Sequence, residues 1–434
     1  MSAKGFRTNT WVLIAFCVCT LSAPAQTKSE PPSVRDSEAS SLAKLRESAD
    51  AGNADAMAEL AEWCLQRAKP DYQQALRFLH QAAEKGNGQA MERLGGLYRD
   101  GCGVKKDYQQ TMSWYKTASE HGAVTALVEI GWMYYHGLGV RQDYAESLKW
   151  YQKAADKDAH EGMNNVGHMY LHGLGVDKDL KKAIEWFHRA ADKGNLWALD
   201  NLGVLYLEGE GVERDRSKAI ELLRKAADKG FTDSMIRLGR LYKQDGDGGR
   251  DFAKARAWFE RAAKTNPEAM RELAEMYLKG IGVKHDSERA LQWYQRAIEA
   301  GHPTALVDLA KIYQTGLGVK ADPDKALAMV RRAADEGQAA AMTYLGSLYT
   351  DGKGVPQDDA EAHRWYLRAS ERGDDVAMLC LAFQSRQGLG VRKDEAEALR
   401  WLRKSATKGN ATAIEILQKV GEPLPKGTVI PPRN

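Results

Sequence analysis

Cysteine is scarce in this 434-residue chain: there are five, and Cys17 and Cys19 fall in an N-terminal stretch that reads as a removable leader. The remaining Cys64, Cys102 and Cys380 are odd in number and widely scattered, which excludes a disulfide framework. An excess of charge of one sign is also lacking. Sixty-two Lys and Arg against 59 Asp and Glu leave +3, and removing Lys4 and Arg7 with the leader leaves +1. That balance excludes bulk attraction to nucleic acid or to an anionic membrane. Long apolar runs are missing as well. The one candidate, residues 11–21, is too short to span a bilayer. With Lys4 and Arg7 before it and Ala23-Pro24-Ala25 after it, it has the three parts of a secretory signal peptide, cleaved after about Ala25. Bulky Phe16 and Val18 before the two cysteines argue against lipid attachment.

Motifs for chemistry are absent too. Gly137-Leu138-Gly139 and Gly173-Leu174-Gly175 lack the strand and the Lys-Ser/Thr of a phosphate loop, so they read as helix terminators. Residues 245–251 are rich in Asp and Gly but lack the ligand series of a calcium loop, and read as a linker. His168 and His172 stand four apart, yet no Glu follows His168, so the hydrolytic zinc motif is missing. His136 occupies the slot of His172 one period earlier, and elsewhere that slot holds Asp100, Glu208, Lys279, Thr315 and Asp351, so it reads as a variable exposed position. Cys102, in an inter-helix turn with no base or pocket nearby, reads as an incidental surface thiol. No cofactor, metal or catalytic residue is expected.

What is present is a period. Small residues at Ala90, Ala126, Gly162, Ala198, Ser234, Ala269, Ala305, Ala341, Ala377 and Ala413 lie 36 apart, with one interval of 35. Each opens the phrase Ala-x-x-x-Leu-Gly-x-x-Tyr-x-x-Gly-x-Gly-Val-x-x-Asp, followed by Trp-Tyr, Ala-Ala and Gly. In the stretch 198–230, Ala198, Leu199, Leu202, Gly203, Leu205 and Tyr206 share one side of a first helix. Gly209 and Gly211 end that helix, Asp215 starts a second, and Ala219, Leu222, Leu223, Ala226 and Ala227 line its inner side. The recurrent indoles Trp114, Trp150, Trp186, Trp258, Trp293, Trp365 and Trp401 read as packing between neighbouring hairpins. The glycine of each Leu-Gly pair reads as the place where the second helix approaches closely. A 36-residue hairpin cannot bury its own apolar face, so neighbours must stack around one shared core.

The Leu-Gly, Tyr, Gly-x-Gly-Val, Asp, Trp-Tyr and Ala-Ala positions together resemble the Sel1-like repeat family, a branch of the tetratricopeptide-type αα solenoids. The resemblance covers about residues 51–419 and implies an all-α fold, a right-handed αα superhelical solenoid of about ten 36-residue helix-turn-helix repeats. The expected organisation is a signal peptide over 1–25, a disordered leader over 26–45, one solenoid over 46–420 and a Pro-rich extended tail over 421–434. Departures fall in the unit from Ala56, which has Cys64 in the tyrosine slot, and in the unit from Ser234, whose loop is replaced by residues 245–249.

Matched to its tetratricopeptide counterpart, the Leu-Gly pair puts a concave groove on first-helix positions one before, and two, six, nine and ten after, the leading small residue. The resulting partner-binding face holds Val128, Trp132, Tyr135, His136, Asn164, His168, Leu171, His172, Trp197 and Asp200, an aromatic cluster of the kind that anchors partners. Further along, Arg240, Lys243, Arg271, Lys279 and Lys311, with Glu275 as the exception, give a basic stretch suited to an acidic peptide segment or a polysaccharide. The resemblance implies a secreted or periplasmic, non-enzymatic adaptor for a protein or peptide, with no integral membrane segment after signal removal. Two alternatives remain open: a β-lactam-binding or hydrolysing or peptidoglycan-associated enzyme, and a secreted host-interaction factor. Cysteine-rich relatives linked to β-lactams pair two cysteines per repeat, which this chain does not.

Overall fold

In the computed structural model the described residues are 32–244 and 249–425, with side chains from residue 40 onward. The signal peptide, the calcium-like loop at 245–248 and the tail beyond Pro425 lie outside them. The described residues hold twenty-two helices. A leading helix α1 (Pro32–Asp50) precedes ten hairpins. These are α2–α3 (Ala54–Leu65, Tyr72–Glu84), α4–α5 (Gly88–Asp100, Tyr108–Glu120), α6–α7 (Val124–His136, Tyr144–Asp156), α8–α9 (His160–His172, Leu180–Asp192) and α10–α11 (Leu196–Glu208, Arg216–Asp228). They continue with α12–α13 (Thr232–Lys243, Phe252–Ala262), α14–α15 (Pro267–Lys279, Ser287–Glu299), α16–α17 (Ala305–Thr315, Pro323–Asp335), α18–α19 (Ala339–Asp351, Asp359–Glu371) and α20–α21 (Asp375–Gln387, Glu395–Thr407). A final helix α22 (Ala411–Lys419) follows. Where one array was expected, the helices divide into two compact units, Met1–Gly230 and Phe231–Asn434.

One local grammar builds every hairpin. The first helix of a unit ends on a left-handed glycine, as at Gly173 with φ +67, and the next amide turns back: Leu174 N–H donates to Met169 O at 3.0 Å. Two residues after Gly173 the chain passes Gly175, where an added Cβ would sit 2.4 Å from the backbone of Tyr144 in the preceding hairpin. The two glycines therefore have different causes, one a helix exit and the other a close approach. The second helix then begins on an aspartate whose carboxylate accepts the N3 amide, as Asp215 does from Lys218 at 2.9 Å. The backbone N–H of that same aspartate donates to the carbonyl of the repeated tyrosine, Asp215 to Tyr206 at 2.9 Å. That bond fixes the angle between the paired helices. In the first hairpin Cys64 supplies the carbonyl instead, accepting from Asp71 at 3.0 Å.

The core sits between the paired helices, and the second residue of each Trp-Tyr pair fills it. Tyr115, Tyr151 and Phe187 are buried against Gly95, Gly131 and Gly167, where a Cβ would meet the ring at 2.6–2.8 Å. Burying such a ring stabilises by roughly 1.5–3 kcal/mol, so the missing side chain on the glycine is what allows it. The preceding tryptophans are half-buried at the edge of this core. Except at Trp114, where Thr117 takes the place, each carries a cation three residues later over its ring: Lys153 is 3.9 Å from the Trp150 centroid and Arg189 4.1 Å from that of Trp186. Arg261, Arg296, Arg368 and Lys404 repeat the arrangement on Trp258, Trp293, Trp365 and Trp401.

Two expectations are corrected. Residues 32–45, expected to be disordered, are helical, because Leu42 and Leu45 pack on the first core cluster and supply an apolar stripe that a Ser- and Glu-rich composition hides. Cys102, expected as a surface thiol, is buried.

Candidate functional site

The first helices of adjacent hairpins meet through a recurring polar contact that sequence reasoning did not find. In several hairpins the residue three after the leading small residue reaches back to a groove position of the preceding hairpin. Arg93 meets Glu62 at 2.6 Å, Glu129 meets Arg99 at 2.8 Å, Asn201 donates to Asn164 at 3.1 Å, and Tyr344 donates to Gln314. The signal was a polar residue within an otherwise apolar row, at Arg93, Glu129, Asn165, Asn201, Arg237, Glu272 and Asp308.

In the first unit these contacts form a floor. Val128, Asn164, His168, Leu171 and Asp200, all expected in the groove, are buried. Arg99 is also buried, gripping Asp100 through Nε at 2.9 Å and Glu129 through Nη1 at 2.8 Å, while its guanidinium lies 5.8 Å from the Trp132 ring centroid. Burial pushes the Glu129 carboxyl up to about 7, only partly opposed by Arg99. Burial, with some help from the His172 charge, lowers His168 to about 3, so this imidazole is neutral near pH 7 and packs as an aromatic ring.

Above the floor stands a connected set of rings on α6, α7 and α8. Trp132 lies 4.7 Å from His136, and Tyr135 lies 4.9 Å from His136, 5.1 Å from Tyr144 and 6.2 Å from His168. His168 in turn lies 4.5 Å from His172. His136 and His172 are exposed, Trp132 and Tyr135 half-buried, and Trp197 is half-buried on α10. Among the described residues no group of three or more His, Cys, Asp or Glu is placed to hold a metal ion.

The second unit differs. The basic stretch expected from Arg240, Lys243, Arg271 and Lys279 is revised, because carboxylates interleave it. Glu272, buried, accepts from Arg240 Nε and Lys243 Nζ, each at 2.6 Å. Arg271 meets Glu268 at 3.0 Å and Asp308 at 3.5 Å, and Lys279 meets Glu275 at 2.6 Å. Arg240 also binds Glu268, and Lys311 lies 5.2 Å from the Tyr344 ring centroid. Arg240, Lys243, Arg271 and Lys279 are thus each paired with carboxylates among Glu268, Glu272, Glu275 and Asp308, while Lys311 is exposed beside the Tyr344 ring. The cations sit on positions that the groove pattern counted. Glu268 and Glu275 share such positions, but Glu272 and Asp308 sit three after the leading residue, outside the pattern.

The Sel1 repeat model matches ten segments: residues 54–87, 88–122, 124–158, 160–195, 198–231, 232–264, 267–302, 303–338, 339–374 and 377–410. Among solved structures, the chain is similar to c5321, a protective antigen of uropathogenic Escherichia coli displaying an SLR fold, at 31% identity over 87% of this chain and 90% of that one, with a TM-score of 0.38. It is also similar to a Sel1 repeat protein from Oxalobacter formigenes, at 30% identity over 71% and 90% of the two chains, with a TM-score of 0.47. An immunity protein from Pseudomonas aeruginosa matches at 20% identity over 49% and 81%, with a TM-score of 0.37. Among curated proteins no match was found. No helix of the described residues is long and apolar enough to cross a membrane.

Proposed function

Given that this chain belongs to the Sel1 repeat family, a protein-interaction scaffold fold, we propose that it is an extracytoplasmic, non-enzymatic adaptor that holds a protein or peptide on the ring cluster of its first unit. One observation carries the reading: accessible Trp132, Tyr135 and His136 side chains are in ring contact, and His172 stacks on buried His168 beside them, over a floor that is already packed and hydrogen-bonded. A rigid floor holds the rings in place before a partner arrives, so large apolar area is offered at little entropic cost. In the second unit Arg240, Lys243, Arg271 and Lys279 are already paired with carboxylates, which favours the first unit as the docking surface. The extracytoplasmic setting rests on the signal-peptide pattern of residues 1–25.

The test is a comparative pull-down with quantitative mass spectrometry, using the wild type and a Trp132→Ala/Tyr135→Ala/His136→Ala variant. Proteins enriched on the wild type should be lost from the variant, with affinity falling at least ~30-fold, the equivalent of about 2 kcal/mol for an aromatic anchor. Equal enrichment on both, with helical content unchanged, contradicts the assignment.

A further inference from the structure

The helices that carry the rings hold no lysine or arginine. In a chain where 62 of 434 residues are Lys or Arg, α6, α8 and α10 contain none over 13 residues each. They do carry carboxylates, at Glu129, Glu161, Asp200 and Glu208. On α4, next to them, Arg99 is buried and held by Asp100 and Glu129, and Arg93 is turned to Glu62 on α2 at 2.6 Å. The face around the rings is therefore locally acidic, in a chain whose overall balance is close to zero.

The carboxylates lie at both ends of the ring cluster. One last-turn slot runs Asp100, His136, His172 and Glu208 across α4, α6, α8 and α10, which puts the exposed imidazoles between two acidic residues, Glu208 itself exposed. Glu161 is on the first turn of α8, 3.3 Å from His160. From Glu161 to His172 the helix runs about 16 Å, the reach of roughly five extended residues. Ring faces attract cations, and this chain places its own on other rings: Lys218 is 4.3 Å from the Tyr206 centroid and Arg189 4.1 Å from that of Trp186. Rings and carboxylates here call for the same ligand, a cation on an apolar stem, which is an Arg or Lys side chain.

We propose that the ring cluster takes an extended, basic peptide segment, whose Arg or Lys stems lie on Trp132 and Tyr135 and whose charges are drawn to Glu161 and Glu208. This rests on the docking role assigned to the first unit and names the chemistry of the partner. An acidic segment would meet carboxylates of its own sign on helices that hold no Lys or Arg to answer it.

The experiment is fluorescence anisotropy of the full chain with short labelled peptides that share one Leu, Ser and Gly framework and carry either a pair of Arg, about five positions apart, or a pair of Glu at the same places. The Arg form should bind the wild type at least ~10-fold more tightly than the Glu form at about 50 mM salt. That preference should fall below about threefold in Glu161→Gln/Glu208→Gln, and in the wild type at about 0.5 M salt. The Gln variant keeps side-chain size and leaves Asp100 and Glu129 on Arg99, so the floor stays intact. Trp132→Ala/Tyr135→Ala/His136→Ala should weaken the Arg form at least ~10-fold. No binding of the Arg form, equal or tighter binding of the Glu form, or a preference unchanged in the Gln variant overturns the proposal. Glu-form binding that is lost with the rings overturns the charge assignment alone and leaves the docking surface standing, whereas Arg-form binding that ignores the rings overturns both.

Discussion

His302 Nε2 lies 2.5 Å from Glu268 Oε2, while its Nδ1 accepts the backbone N–H groups of Thr304 at 3.2 Å and Ala305 at 3.1 Å. The ring is thus the Nε2–H tautomer, capping α16 on one side and tying it to the previous hairpin on the other. Asparagine does the same work elsewhere. Asn87 accepts from Ala90 and donates to Asp55 at 2.7 Å, and Asn410 accepts from Ala413 and donates to Asp375 at 2.7 Å. His302→Ala should cost about 1–2 kcal/mol at this helix start, and His302→Asn should retain most of it. Amide exchange at Thr304 and Ala305 checks this, with faster exchange expected in the alanine variant only.

Glycines at adjacent positions should respond in opposite directions. At Gly203 a Cβ would stand 2.7 Å from Leu223, so Gly203→Leu should loosen the hairpin by several kcal/mol. At Gly96 the nearest atom is Tyr115 Oη at 3.9 Å, so Gly96→Ala should be neutral or stabilise by about 0.5–1 kcal/mol. Chemical denaturation followed by circular dichroism distinguishes them. Destabilisation of both to the same degree would mean that helix propensity, and not the close approach to Leu223, sets the requirement.

The two units should answer pH with opposite signs. Burial raises Glu129 to about 7, so its native form holds a proton more tightly than the unfolded chain does. That contribution is full below about pH 4.3 and is lost as pH rises through about 7. Burial also pushes Glu268 up, but hydrogen bonds from His302 and Arg271 and the charges of Arg271 and Arg240 outweigh it and hold this carboxyl well below the usual range. Its contribution is present above about pH 4.3 and is lost as pH falls further. Exchange protection, corrected for intrinsic rates, should rise in α6 between pH 7.5 and 5 while α14 holds steady, and should fall in α14 below pH 4. Glu129→Gln should abolish the α6 response.

The fold was legible because each hairpin spells out its own exits, caps and close approaches, so Gly173, Asp215 and Tyr151 state their roles through spacing alone. Ring positions on α6 and α8 were legible for the same reason, since helical periodicity places Trp132 and His136 on one face. Exposure was not. Whether a groove residue is floor or surface depends on what the next hairpin lays over it, which is why His168 is buried and His172, one turn on, is not. The charge of the second unit was misread because Glu272 sits in the adjacent hairpin, 32 residues from Arg240. Pairings at that distance leave no local pattern, and α1 was missed because only Leu42, Leu45 and Ala49 anchor it.

Site-specific photo-cross-linking in the producing cell tests the docking surface most directly, with a benzophenone amino acid at Tyr135 in the first unit and, in a parallel protein, at Lys279 in the second. A discrete adduct from position 135 and none from position 279 is the expected result. Adducts from 279 alone, or none from 135 while the protein remains folded, would contradict the assignment of the ring cluster as the docking surface.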